Sequence, residues 1–162
     1  MEIFSMTSAT VLAMYMNMVS VNTSSNFAYN AEMQDGKVNA ITVCENDGKY
    51  LHMQKKDVYT YDTQDRVVAK ETFNWDEENM KWVPVQLVNY IYTEQSVEVE
   101  LSRWNRNEMT YRQPQDRMVY DLIAQNVVGV SQYRWNMELN RYDLASGYVQ
   151  MQTDFSKLLA QN

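Results

Sequence analysis

The chain has 162 residues, 45% of them apolar and 22% charged, which is enough material for one domain with its own core and excludes a disordered tail or a disulfide-stapled miniprotein. Fourteen basic residues against twenty-one acidic ones leave a net charge of −7, and no basic run is longer than Lys55-Lys56, which argues against nucleic acid as a partner. A single Cys44 and a single His52 leave no internal disulfide, no Cys/His metal cluster and no catalytic triad that does not spend that one histidine.

The N-terminus comes first in chain order. No charge occurs from Ile3 to Ala31, and Val11, Leu12, Ala13, Met14, Met16, Met18, Val19 and Val21 make an apolar core of the kind found in secretory leaders. Ser5, Thr7, Ser8, Thr10, Asn17 and Ser20 interrupt it, which weakens it as a spanning helix. Residues 1–25 are therefore expected to be a cleaved signal peptide and 26–162 a single exported domain, with no stable membrane span after cleavage. Glu2 stands where a basic residue is usual, and no small-residue cleavage box precedes Asn22-Thr23-Ser24-Ser25.

The body is self-similar. Trp75-Asp76-Glu77-Glu78-Asn79-Met80-Lys81-Trp82 shares its frame with Trp104 to Tyr111 and with Trp135 to Tyr142, and Val43 to Tyr50 is a weaker copy. The large residues stand seven apart in each copy, and the copies recur after 32, 29 and 31 residues. An aromatic, an Asp or Asn, a polar run and a second aromatic is the pattern of a β-hairpin tip, with the two large residues facing each other. Between the tips run period-2 segments such as Val67, Ala69, Glu71, Phe73 and Trp75. Asp35-Gly36 and Asp47-Gly48 add two hairpin turns.

The fold class expected is all-β: an antiparallel meander built from two-strand repeats of about 30 residues, strongly twisted or barrel-like because long flat edges invite pairing with other chains. Nine strands are expected, at 27–34, 37–45, 49–62, 66–75, 80–92, 96–104, 109–122, 127–135 and 141–152. Pro84 and Pro114 follow hairpin tips and predict bulges there. Phe155, Leu158 and Leu159 at helical spacing after Asp154 predict one turn of helix in the tail.

The residues able to carry chemistry are few. A position filled alike in every copy is needed by every copy, so Val43, Tyr50, Trp75, Trp82, Trp104, Tyr111, Trp135 and Tyr142 are assigned to the architecture. Tyr29, Tyr59 and Tyr148 lie outside the frame and are the candidates for a ligand platform. His52 has no partner visible in the sequence and reads as a packing or surface residue, and Cys44 as a small buried apolar group. Glu98 and Glu100 share a strand face about 7 Å apart, the only pairing that suggests a glycan hydrolase, although such alternation is ordinary on a solvated strand. Asp76-Glu77-Glu78-Asn79 lacks the spacing and the glycine of a calcium loop and reads as a solvated turn. With no phosphate loop, zinc-helix motif or nucleophile elbow, no catalytic residue, metal or cofactor is expected.

The succession Tyr59-Thr60-Tyr61-Asp62, Arg66-Val67, Lys70, Phe73-Asn74-Trp75, Trp82-Val83-Pro84 and Tyr90-Ile91-Tyr92 resembles the Bacteroides proteins grouped as domain of unknown function 3836. The resemblance covers most of the chain after residue 25 and implies an exported all-β protein of gut-type bacteria, with no activity or functional residue to carry over. The function expected is a non-catalytic binding or surface-interaction module for a glycan or a protein partner. The alternatives are a small carboxylate-dependent glycan hydrolase and a structural subunit that uses an open sheet edge.

Overall fold

The computed structural model describes residues 5–21, 26–124 and 127–151. One helix, α1 (Ser8–Val21), precedes ten strands: β1 (Phe27–Gln34), β2 (Lys37–Asn46), β3 (Leu51–Tyr61), β4 (Val67–Asp76), β5 (Lys81–Tyr92), β6 (Ser96–Asn105), β7 (Thr110–Tyr111), β8 (Asp116–Ala124), β9 (Val127–Asn136) and β10 (Arg141–Met151). The strands form an antiparallel sheet in chain order, with the short β7 paired to β6 beside the main path. The order has two ends, β1 and β10, so the sheet is not closed. The ninefold count becomes ten because the segment expected to be continuous over 109–122 stops at Tyr111 and resumes at Asp116. Pro114 has no N–H to give to a ladder, so the strand breaks there instead of bulging. Pro84, by contrast, lies inside β5. The expected tail helix at 154–161 lies outside the described residues, as does the expected cleavage region at 22–25.

The chain divides into two compact units, residues 7–86 and residues 87–162 together with 1–6. In the first, the core is Val11, Val38, Ala40, Ile41, Tyr59 and Val67, all 5% exposed or less. In the second, Val88 and Tyr90 of β5, Val97 and Val99 of β6, Tyr120 of β8, and Val128 and Val130 of β9 are buried. Val38 and Ala40, Val88 and Tyr90, Val97 and Val99, and Val128 and Val130 stand two apart because successive side chains of a strand point to opposite faces.

Helix α1 opens with a reciprocal cap, in which the Thr10 backbone N–H donates to Thr7 Oγ1 and the Thr7 N–H to Thr10 Oγ1, each at 3.3 Å. Thr7 also bridges to Arg66, and Ser8 N–H donates to the Asp65 carbonyl at 3.2 Å. Only Val11 of the helix is buried, whereas Leu12, Met16, Val19 and Val21 are exposed. No helix among the described residues is long and apolar enough to cross a membrane.

Candidate functional site

Three hairpins share one construction. Their four-residue loops, 77–80, 106–109 and 137–140, each follow an Asp or Asn whose side chain accepts backbone N–H groups of the loop. Asp76 Oδ1 takes the Asn79 N–H at 3.1 Å, Asn105 Oδ1 the Asn107 N–H at 3.1 Å, and Asn136 Oδ1 those of Glu138 and Leu139 at 3.0 and 3.1 Å. Each loop ends on a residue in the left-handed region: Met80 (φ 50°), Met109 (φ 52°) and Asn140 (φ 49°). Just inside each loop, two rings meet edge to face. Trp75 and Trp82 stand 5.1 Å apart between centroids, while Trp104 with Tyr111 and Trp135 with Tyr142 each stand 4.9 Å apart. That is the geometry the ring quadrupoles favour.

The β2–β3 hairpin has a loop of the same length, 47–50, and the same leading Asn, whose Oδ1 accepts the Gly48 N–H at 2.9 Å. Its contents differ from the expectation. Val43 pairs with Lys55, and Tyr50 sits in the loop, so these two do not face each other. The residues that occupy the paired positions are Glu45 and His52, two places further on and again seven apart. The positive φ has moved to Gly48 (φ 90°), because Asp47 Oδ1 now holds the Lys49 and Tyr50 N–H groups at 2.8 and 2.7 Å. The other oxygen, Oδ2, lies 2.9 Å from His52 Nε2. The backbone N–H of Tyr50 and the bond to His52 hold the Asp47 carboxyl down to about 2, and the Asp47 hydrogen bond pushes the His52 imidazole up from its ordinary value. Glu77 and Glu45 push it in the same direction through their charge. The expectation of a partnerless surface histidine therefore gives way to an exposed His–Asp pair.

Next to this pair is a cleft of about 210 Å³, lined by Leu51, His52, Met53 and Gln54 of β3, Trp75 of β4, and Glu77 and Met80 of the following loop. The β2–β3 register skips Gln54, passing from Val43 opposite Lys55 to Cys44 opposite Met53. The skipped Gln54 donates its amide at 3.3 Å to Oε2 of Glu45, the residue paired with His52. Leu51 and Met80 are 60% and 71% exposed there. A second cleft, of about 340 Å³, lies at the β1–β2 turn beside Tyr59 and Tyr61. Tyr61 is tied down, its hydroxyl donating to the Val38 carbonyl at 2.7 Å and its ionisation pushed up to about 12 by burial.

The three tyrosines outside the frame differ in exposure. Tyr59 is 5% exposed and belongs to the core; Tyr29 is half-buried on β1, two strands from it; and Tyr148 is exposed on β10 in the other unit. Glu98 and Glu100 are also accounted for. Arg117 donates to Glu100 Oε1 through Nε at 2.9 Å and through Nη2 at 2.5 Å, and its Nη1 is 3.7 Å from Glu98 Oε2. The guanidinium carbon sits 4.1 Å from the centroid of the Tyr142 ring. One cation thus bridges both carboxylates and a frame ring, an arrangement that stabilises the sheet. Asp76 is occupied with Asn79, its Oδ2 accepting the side-chain amide at 2.8 Å. Cys44 is half-buried and not disulfide-bonded. No group of three or more His, Cys, Asp or Glu among the described residues is placed to hold a metal ion.

Comparison with known proteins fixes the lineage. The profile of the family of unknown function DUF3836 matches residues 2–122. The chain belongs to that family. A crystal structure of a DUF3836 protein from Bacteroides vulgatus is similar at 26% identity with a TM-score of 0.58, covering 60% of this chain and all of that one. A Bacteroides fragilis protein of unknown function shares the fold at 21% identity and TM-score 0.68, over 84% of this chain and 99% of its own. A DUF3836 protein from Parabacteroides distasonis shares it at 21% identity and TM-score 0.54, over 60% of this chain and 92% of its own. No curated protein matches. Glu45 as a paired position was missed in the sequence, and the available signal was Asn46: aligned on the loop-leading Asn or Asp, the four hairpins fall into one frame.

Proposed function

We propose that this DUF3836 protein is an exported, non-catalytic binding module whose ligand, a glycan or a partner protein, is met at the cleft beside the β2–β3 loop. The observation that carries this reading is the departure of one hairpin from the construction of the other three. Edge-to-face ring pairs fill the positions flanking three loops, and Glu45 and His52 fill them in the fourth. An element present in every repeat serves the architecture; a site is built once, where the repeat is broken. Beside the break, an imidazole, a carboxylate, an amide and an indole line the same cleft as exposed apolar side chains, which is the mixture that orients and buries a ligand.

Export is supported by the helix itself. A surface helix normally shows solvent its polar face, whereas α1 shows Leu12, Met16, Val19 and Val21. That suits a leader that is removed. Amino-terminal sequencing of protein recovered outside the cytoplasm should start between Asn22 and Ala31. Intact protein beginning at Met1 in the soluble cytoplasm would overturn export.

For the cleft, a panel of glycans and peptides titrated into labelled protein should shift amide resonances of Leu51–Gln54, Trp75 and Met80 first. Ligands that move the other three loops and leave these residues still would overturn the assignment.

A further inference from the structure

We infer that the β6–β7 hairpin carries a docking surface for an acidic segment of a partner protein, whose carboxylates are taken by Arg103 and Arg112 with Arg106 beside them. The inference does not rest on the β2–β3 cleft, which belongs to the other compact unit. Arg66, Arg117, Arg134 and Arg141 each stand in an ion pair with an Asp or Glu of this chain. The three remaining arginines all lie within 103–112, all are exposed, and none is in an ion pair among the described residues. In a chain with fourteen basic and twenty-one acidic residues, carboxylates to neutralise them are not scarce.

The register places two of these cations face to face. Trp104 pairs with Tyr111, and the Arg112 N–H donates to the Arg103 carbonyl at 2.9 Å, so the two arginines are the next residues opposite each other. Residues directly opposite in an antiparallel pair point to the same face with Cβ atoms about 5 Å apart, and like charges placed so repel. The β9–β10 hairpin fills the same place differently: Arg134, again one before the frame tryptophan, is opposite Asp143. Neither carboxylate close by in the chain neutralises the pair. Asp116, opposite Leu101 and so on the face of Arg103, has its Oδ1 3.5 Å from Arg134 Nε, and Glu108 of the loop is in no ion pair among the described residues. Trp104 and Tyr111 point the other way by alternation, so the hairpin keeps its ring packing on one face and presents its cations on the other.

The chemistry of the patch sets the class of partner. Neighbouring guanidinium groups are planar forks that hold carboxylates bidentately. Met109, 73% exposed in the same hairpin, adds an adaptable apolar contact. Arginine and methionine without lysine is the composition enriched at protein interfaces, which favours an acidic polypeptide over an acidic glycan. On a chain of net charge −7, one cationic spot also turns an acidic partner toward that spot alone.

The test uses the full chain and a short labelled peptide with Glu at alternate positions, followed by fluorescence anisotropy. The parent should bind it, more weakly as salt rises, and should ignore the Gln counterpart. Arg103→Gln and Arg112→Gln should each weaken binding by about tenfold or more, whereas Arg141→Gln, in the β9–β10 hairpin, should bind as the parent does. Arg103→Glu should abolish binding and yet melt no lower than the parent, because it replaces a repulsion across the hairpin with an attraction. A parent that does not bind the Glu peptide, or a folded Arg103→Gln that binds it as the parent does, overturns the docking surface. A lower melting temperature for Arg103→Glu overturns it too, because the arginine would then serve the fold. An oligogalacturonate that binds in the peptide's place would overturn the protein partner in favour of an acidic glycan.

Discussion

The β6–β7 hairpin and the β2–β3 hairpin differ in what they place beside a common loop. Both loops have four residues and both begin on an Asn whose side chain accepts a loop N–H. In one, Trp104 and Tyr111 meet edge to face, and in the other Glu45 faces His52. The Asn and the loop backbone therefore suffice to close a hairpin of this kind, and the ring pair adds packing on top of closure. Once that packing is dispensed with, the two positions are free to carry chemistry.

The largest effect should come from removing the packing. Trp104 is half-buried, so Trp104→Ala should cost about 2–4 kcal/mol, below the full penalty for a buried tryptophan but a large share of a typical stability of 5–15 kcal/mol. His52→Ala, at the corresponding position of the other hairpin, should cost far less. Urea titration of the two variants decides it: equal losses would abolish the distinction between an architectural and a functional hairpin.

Arg117→Met comes next, expected to cost about 1–2 kcal/mol once the partial exposure of the pair is allowed for, because it leaves Glu98 and Glu100 facing each other without their shared cation. Adding Glu100→Gln should recover part of the loss. If Arg117→Met were silent, these carboxylates would not depend on the cation, and the catalytic reading of Glu98 and Glu100 would return.

Much of this fold was legible because alternation is a strong signal when strands are long. Val97 and Val99, and Val128 and Val130, are apolar at every second place and are buried accordingly. What was not legible depended on single residues. Val43 lies seven before Tyr50, so spacing alone matched it to the frame, yet Asn46 decides where the loop begins and moves the facing pair to Glu45 and His52. Pro114 predicted a disturbance but not its size, a gap from Arg112 to Gln115 that splits one strand into two. The site was hidden for a similar reason. Asp47 and His52 are five residues apart, a spacing with no meaning in a helix or a strand, and they meet only because this loop turns the chain back on itself. Tyr59, a candidate for a ligand platform in the sequence, is the buried residue of β3, at 5% exposure.

Loop-leading side chains offer a finer comparison. Asn136 accepts two loop N–H groups and donates its amide to Asp143 at 2.8 Å, whereas Asn46 accepts one. Asn136→Ala should cost about 1–2 kcal/mol and Asn46→Ala about 0.5–1 kcal/mol, in the order of the number of bonds each loses. Thermal or urea melts that reverse the order would show that the β2–β3 loop depends on its Asn more than its contacts suggest.

The smallest effect is the most specific to the β2–β3 hairpin. The pKa of His52 is raised in the folded chain by its bond to Asp47, so the pair contributes stability that is fully present below about pH 6.5, the unfolded value, and is lost as the pH rises through the higher folded value. Asp47 has the opposite sign: its pKa is depressed to about 2, so its contribution is present above the unfolded value near 4 and is lost as the pH falls toward 2. Both groups are exposed, so salt should screen their charge interaction. A melting-temperature profile from pH 5 to 9 should therefore show a small decline above about pH 6.5 in the parent, weaker in high salt and absent in His52→Gln. Asp47→Asn should remove most of the same decline, because the bond to its carboxylate is the main cause of the raised histidine. If Asp47→Asn kept the parent profile while His52→Gln lost it, Glu45 or Glu77 would be the partner that matters.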